Sequence, residues 1–541
     1  MDGRILFSLK ARPVALRLLM GAALLGLPAQ SVFGVSCPVV KHNPPSEAAK
    51  ALLAADFAKA ESLYRADLTK TPGDAESVEG LVHALLGQQK TQEAADAVKA
   101  ALAAAPNSAP LLTLSGEVQF RQGEPWAVEP VVLASYKLDP CNPRTRLLYA
   151  RFAMVNSRYA TARQQLGLAH QFDPEDAEIR AAWIQTLPLD QRIKETEAAL
   201  AAPEQPGTAA ATQMRADLER WKKQAAEPLR ACLLVSKTPP VDIPFIDLKG
   251  FSGPYGANSH RAYGLDVALN GNSTRLQLGA GEGGLTLYRP AAERAGLKRI
   301  TASEPGGPMG KSTYTAGADS IKIGNMEFQN CTVKVVDGSG PFDDGDGTIG
   351  MDVFSDSLVT LDYPMHKVKL GPLPLRTGET AAPALRLRTT SDAVDAADAS
   401  AADRFIAPEM KDYTQIYRVG DSLILPAALN AAKVKLFVLD LGADATSVAP
   451  AVAREVSKVS EKMIFGQKAL VADEITFNFA HLSQKVNGVV AVDTSMATRG
   501  TGMEISGSIG ANTFSVLIMH IDYRDGLVKF EYIPNRGYSH Q

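Results

Sequence analysis

The chain has 541 residues, a prior of three to four domains at ~150 residues each. Hydrophobic residues make up 45% and charged residues 21%, so the chain can bury cores and gross disorder is excluded. Lys+Arg number 56 against 59 Asp+Glu, a formal charge of -3 that leaves no electrostatic footprint for nucleic acid or an anionic membrane. Four cysteines exclude a disulfide-built scaffold. The eight histidines show neither His-Glu-x-x-His nor close His/Cys pairs, so neither zinc nor another cofactor is expected.

The N-terminus reads as a targeting segment. Arg4, Lys10, Arg12 and Arg17 form a basic start, Leu18 to Leu27 run apolar, and small residues follow at Ala29, Ser31 and Gly34. The apolar run falls short of the ~20 residues that span a bilayer comfortably. Residues 1–34 are therefore assigned to a signal peptide, with a retained signal anchor as the alternative. No later stretch is long and apolar enough for a membrane helix, so an exported body, periplasmic or secreted, is expected. Cys37 opens a lipoprotein reading, although Gly34-Val35-Ser36 lacks the usual Leu three residues before such a cysteine. Export makes disulfides accessible, and Cys37, Cys141, Cys232 and Cys331 allow three pairings among which the sequence does not choose.

Periodicity governs the next region. Pro72, Pro106, Pro140 and Pro174 stand 34 residues apart, and twelve residues before each are Ala60, Ala94, Val128 and Ala162. Small residues recur at Ala48, Gly116 and Ala150. Paired helices need small residues where they cross closely and a proline where the second must end. That spacing predicts a helical solenoid. The pattern resembles the tetratricopeptide repeat (TPR) family over residues 44–180, with Val82 and Val128 departing at positions where that family is usually small. Helical sequence continues through Arg215–Lys223 to about Ala231 and is expected to cap an array spanning 44–231. Neighbour contacts stabilise such arrays, so the fragment is expected to fold alone. The resemblance implies a concave groove for a peptide or protein partner; the alternative is a spacer.

After Ser236–Pro240 the texture changes to short alternating strands with Gly and Asn turns. Tyr263–Leu269, Asn270-Gly271 and Thr274–Leu278 read as a tight hairpin. A helix-like Pro290–Ala295 follows, and then Gly347-Thr348-Ile349-Gly350, Leu358–Asp362 and Lys367–Leu370. The order repeats as Leu423–Leu429, Leu436–Gly442, Ala449–Lys458, Gly507-Ser508-Ile509-Gly510 and Ile518–Tyr523. Gly350 to Gly510 is 160 residues, Asp362 to Asp522 also 160, and Gln277 to Asp440 is 163. The fold class expected is an α solenoid followed by a duplicated all-β lobe, at 243–372 and 408–535, with an Ala/Asp-rich linker over 373–407.

A strand, Asp-Leu-Gly-Ala and a helix, then a hydrophobic-Gly pair and a final Asp-Tyr strand, resemble the retropepsin-like aspartic peptidase lobe. The resemblance implies two facing carboxylates that share one proton and hold a water. Lobe two offers Asp440-Leu441-Gly442, and lobe one is read as Gln277-Leu278-Gly279. Gln277 cannot exchange a proton near neutral pH, so a Gln277/Asp440 pair cannot cycle as acid and base. A degenerate peptidase fold kept for peptide or protein binding is expected. The alternative is an active aspartic endopeptidase using Asp440, with two lobe-two copies pairing in a dimer. Two glycine-rich decoys carry little weight. Gly279–Gly284 follows a hairpin strand rather than opening a βαβ unit, and Gly306–Ser312 is one residue short of a phosphate loop. The latter falls where the family's substrate-covering flap lies.

Overall fold

Helical hairpins fill the first half. The computed structural model describes residues 37–201, 208–226, 230, 232–236, 241–249, 261–279, 283–301, 311–338, 345–379, 385–389, 402–430, 432–442, 445–464 and 467–534. The signal-peptide assignment and the stretch Gly306–Gly310 lie outside them. The helices are α1 (Glu47–Leu53), α2 (Phe57–Lys70), α3 (Ala75–Gly87), α4 (Thr91–Ala104), α5 (Ala109–Arg121), α6 (Val128–Leu138), α7 (Pro143–Val155) and α8 (Tyr159–Phe172). α9 (Ala177–Ile184), α10 (Leu189–Ala201) and α11 (Thr208–Ala226) extend the array beyond four repeats.

The 34-residue period has two physical sources. Two residues after each repeat proline stands an N-cap: the side chains of Asp74, Ser108, Asn142 and Asp176 each accept a first-turn backbone N–H. Each such cap contributes ~1 kcal/mol. Ala60, Ala94, Val128 and Ala162 are all buried at the crossings, and Val82 is buried too. Gly80 has no room for a side chain, because a Cβ there would lie 2.1 Å from the Tyr64 ring.

The β half is two lobes of one topology. In lobe one Arg261–Leu269 pairs with Asn272–Leu278 across the Asn270-Gly271 turn, where both residues have positive φ. Gly347–Ile349 then inserts parallel to Asn272–Leu278 and antiparallel to Leu285–Tyr288. Lobe two repeats this with Ser422–Leu429, Val434–Leu439, Gly507–Ile509 and Ser447–Val448. A six-stranded sheet joins the lobes within the chain, in the order Thr414–Gln415, Leu527–Tyr532, Leu517–Asp522, Ser357–Asp362, Lys367–Pro372, Val241–Pro244. At its seam Thr360 faces His520, its own counterpart at the 160-residue offset, with Thr360 Oγ1 2.9 Å from His520 Nδ1. The approximate twofold axis relating the lobes therefore passes through that pair. One continuous apolar core, including Leu276, Leu361, Phe437 and Phe514, runs through both lobes.

Three expectations change. The array is packed against lobe two rather than set apart from it: Phe120, Val132 and Phe152 join Tyr417, Ile424, Leu436 and Ile505 of lobe two in one buried cluster. Backbone bonds seal the joint, with Glu504 N donating to Arg121 O at 2.9 Å. The segment read as linker contributes structure at both ends. Leu387 N donates to Cys232 O and Thr389 lies buried on lobe one, while Arg404 and Phe405 are held at Asp525. Composition hid this, because short apolar anchors sit among the Ala and Asp residues. The cysteines pair as Cys37–Cys141 and Cys232–Cys331. Cys37 is thus committed to a disulfide in this structure, which leaves no thiol for the lipoprotein reading. Val40 N also donates to Phe172 O at 2.8 Å, and His42 Nε2 lies 2.8 Å from Asp173 Oδ1, so the arm before α1 lies against the end of α8.

Candidate functional site

The lobe-two turn grows out of Val434–Leu439. Asp440 N donates to Ile509 O at 3.0 Å, and its own Oδ1 accepts Gly442 N at 3.2 Å. Thr446, buried at the far side of the turn, accepts Gly510 N at 3.0 Å. Ladder and turn bonds thus fix the Asp440 backbone, and its side chain is left half-buried at a cavity.

The register identifies the lobe-one counterpart. Ile349 pairs with Leu278 as Ile509 pairs with Leu439, and Gly279 N donates to Ile349 O at 2.8 Å as Asp440 N does to Ile509 O. The residue equivalent to Asp440 is therefore Gly279, and the Gln277 assignment is corrected. Gln277 corresponds to Val438, two positions earlier on the strand, and Leu278 to Leu439 rather than Leu441. The residue matching Leu441 is Ala280, outside the described residues. Matching Gln277 to Asp440 required an offset of 163 residues where the neighbouring anchors gave 160. The register supports 161.

The two turns meet nonetheless. Gln277 reaches across the lobe interface, its Nε2 3.4 Å from Gly442 O. A Cβ on Gly442 would lie 1.6 Å from Leu278 O, so only glycine lets the lobes close this far. Leu441 points the other way and is buried in the core. The field of Asp440 extends to the buried Tyr363 phenol, whose pKa is raised by burial, by Tyr263 and by Asp440.

Two carboxylates escaped the sequence reading. Asp352 follows the Gly347–Gly350 motif and is buried, its Oδ2 accepting Gly284 N at 2.9 Å. Asp421, at the tip of the lobe-two hairpin of Tyr417–Val419 and Ser422–Leu429, crosses to lobe one. Its Oδ2 lies 1.8 Å from where a Cβ on Gly283 would stand. Burial, and then the charge of Asp421, push Asp352 up to about 7. The only sequence signal was the contrast between Asp352 and Asn512 in otherwise matching motifs.

A cavity of about 380 Å³ opens beside Asp440. Its walls include Val438 and Ser447 from the lobe-two strands, and Asp493, Thr494 and Thr501 from the segment that leads to Gly507–Ile509. The helical array, in contrast, pairs a cluster of its charges across its own helices. Arg144 on α7 reaches Glu178, Asp176, Glu117 and Glu79 at 2.7, 3.3, 3.6 and 3.7 Å. Burial opposes ionisation of Glu117, but His83 and Arg144 outweigh it and hold the carboxyl down to about 2. Among the described residues no group of three or more His, Cys, Asp or Glu is placed to hold a metal.

No protein-family model matches the sequence. No curated protein matches it either. Among solved structures, the chain is similar to a thermophilic TPR protein from Thermus thermophilus, at 18% identity over 31% of this chain and 90% of that one, with a TM-score of 0.26. It is also similar to an aspartic proteinase from Irpex lacteus, at 10% identity over 55% of this chain and 98% of that one, with a TM-score of 0.34. The architecture itself is a TPR-type helical array followed by two acid-protease-like lobes joined through a shared sheet. No helix among the described residues is long and apolar enough to cross a membrane.

Proposed function

We propose that this is an exported peptide- or protein-binding protein whose acid-protease-like cleft has lost its catalytic pair. The observation that carries the reading is the register. Where lobe two has Asp440, lobe one has Gly279, which has no side chain, and Gln277 holds the facing turn by a hydrogen bond instead. One carboxylate without its partner lacks the shared proton that divides the work between acid and base. Asp440 then serves as a polar anchor for a bound chain. The cleft is preferred over the array as the binding site, because the array's Arg144, Glu117 and Glu178 already satisfy one another. Export draws support from the basic-apolar start and from two disulfides, which persist in oxidising compartments.

The pairing of lobe one with lobe two at Leu358–Asp362 argues against a peptidase formed by two lobe-two copies. One observation favours a monomeric peptidase: lobe two brings Asp421 up to Gly283, on the lobe-one side. A peptide library incubated with the purified protein between about pH 3 and 7, a range that spans carboxyl titration, separates the readings. The binding protein gives no pepstatin-sensitive cleavage. Cleavage abolished by both Asp440→Asn and Asp421→Asn establishes the peptidase. Gly279→Asp with Leu441→Thr is the matching gain-of-function variant, because it returns a carboxylate to the register-equivalent position.

A further inference from the structure

The cavity beside Asp440 carries one sign of charge. Two carboxylates line it, Asp440 and, at its exposed mouth, Asp493, and no Lys, Arg or His is among its described lining residues. Asp493 is held ionised by a backbone and a side-chain hydrogen bond from Ser495, at 2.9 and 3.0 Å. Arg418 donates to Gly420 O and Tyr523 O, and Arg499 is exposed and makes the weakest contribution to the state of Asp493.

The remaining walls divide cleanly. The Ser447 and Ser508 hydroxyls are bonded to each other at 2.9 Å, which still leaves acceptor lone pairs. Val438, Val492 and Ile505 supply an apolar strip. Behind that strip stands the helical array, since Val438 and Ile505 belong to the cluster around Phe120 and Phe152. The volume is at the lower end of the ~300–1,000 Å³ typical of ligand pockets. Acceptors and negative charge beside an apolar strip fit one kind of side chain: a methylene stem with a cationic head.

We propose that this cavity binds a lysine or arginine side chain of an extended peptide, with Asp440 and Asp493 as the recognising carboxylates. The proposal deepens the binding reading above and rests on it for the peptide, though not for the cation. Field lines focused between low-dielectric walls favour the cationic head, and water competes less inside the cavity than at the surface. A free amine presents the same chemistry without the peptide, so the test includes one.

The full chain is titrated with a positional-scanning hexapeptide library carrying Arg, Lys, norleucine, Gln or Glu at each position, and with n-butylguanidinium alone. At one position, Arg and Lys peptides are expected to bind about tenfold tighter than norleucine or Glu peptides. Asp440→Asn is expected to remove most of that preference, and Asp493→Asn, whose amide oxygen can still accept from Ser495, the rest. Equal affinity across the set overturns the proposal while the binding reading stands, as does a preference untouched by either variant. Binding of n-butylguanidinium that Asp493→Asn weakens, with no peptide bound, keeps the cation site and removes the peptide. Silence from every probe removes both.

Discussion

Lobe one and lobe two agree in backbone register through the inserted strand and differ in nearly everything that register carries. The inserted strand pairs identically in both, Gly347 with Leu276 and Gly507 with Phe437, and the first amide of each turn finds the same carbonyl. Those bonds are made by the backbone and survive any side chain. Chemistry depends on the side chains, and there lobe one has Gly279 and Asp352 against Asp440 and Asn512. Support differs as well. Cys232–Cys331 ties an extra strand, Leu233–Leu234, to lobe one, whereas the helical array braces lobe two. The comparison teaches that a duplicated fold can keep its hydrogen-bond frame while the side chains set on that frame diverge.

The sharpest break of the comparison is at the contact between the lobes. Gly442→Ala puts a methyl carbon 1.6 Å from Leu278 O, which is backbone and cannot swing away. A loss of about 4 kcal/mol or more is expected, at the rare end for single substitutions. Gly371→Ala, in the joining sheet with open space around it, is the control and is expected to change little. Thermal unfolding of both variants checks this, and equal melting temperatures would discard the tight interlobe contact.

Support is tested next. Cys232 and Cys331 are 99 residues apart, so removing the bond frees a long loop in the unfolded chain. The double variant Cys232→Ala/Cys331→Ala is expected to cost roughly 3–4 kcal/mol. Hydrogen exchange locates the loss: amides of Met326–Val336 exchange faster, and those of Gln467–Phe479 in lobe two keep their protection. Uniform acceleration in both lobes would count against separate support.

How far the sequence reveals this molecule follows from the same division. The 34-residue period exposes the helix pairs, because prolines, caps and small crossing residues are local necessities. The duplication shows because Gly347–Gly350 and Gly507–Gly510 keep their spacing to the final strands. The lobe-one turn resists reading: glycines at Gly279, Gly283 and Gly284 give no side chain to align, and Gln277 supplies a polar decoy two residues away. Asp421 and Asp352 meet only through the closed lobes, more than sixty residues apart in the chain, and no local pattern encodes such a meeting. The docking of the array is hidden likewise, since Phe120 and Phe152 read as ordinary interior positions of amphipathic helices.

That docking yields a smaller effect. Phe152, on α7, is buried in the cluster that the array shares with lobe two. Phe152→Ala in the full chain is expected to cost about 3 kcal/mol through lost packing and the cavity left behind. Urea denaturation followed by far-ultraviolet circular dichroism reports helix and sheet together. If the helices melt at the same urea concentration with and without the substitution, the array does not lean on lobe two.

The smallest effect tests the carboxylates that separate the lobes most subtly. Asp352 stays protonated in the folded chain up to about 7, because burial and then Asp421 disfavour its charge, whereas the unfolded chain releases that proton near the usual 3.8. Between those values the native state holds more protons than the unfolded one, so stability falls as pH rises from about 4 to 7 and then levels. Asp352→Asn has no proton to release, and its amide oxygen can still accept from Gly284 N. The variant also gives lobe one the residue that lobe two carries at Asn512. It is expected to match the parent near pH 4 and to exceed it by roughly 2 kcal/mol at pH 7.5, within what a raised buried carboxyl can store. Asp421→Asn removes the neighbouring charge, so it is expected to move the fall in stability toward lower pH without abolishing it. Denaturation midpoints at the two pH values decide the matter. A gain for Asp352→Asn that is the same at both would trace to packing, and the carboxylate contrast between the lobes would lose its electrostatic basis.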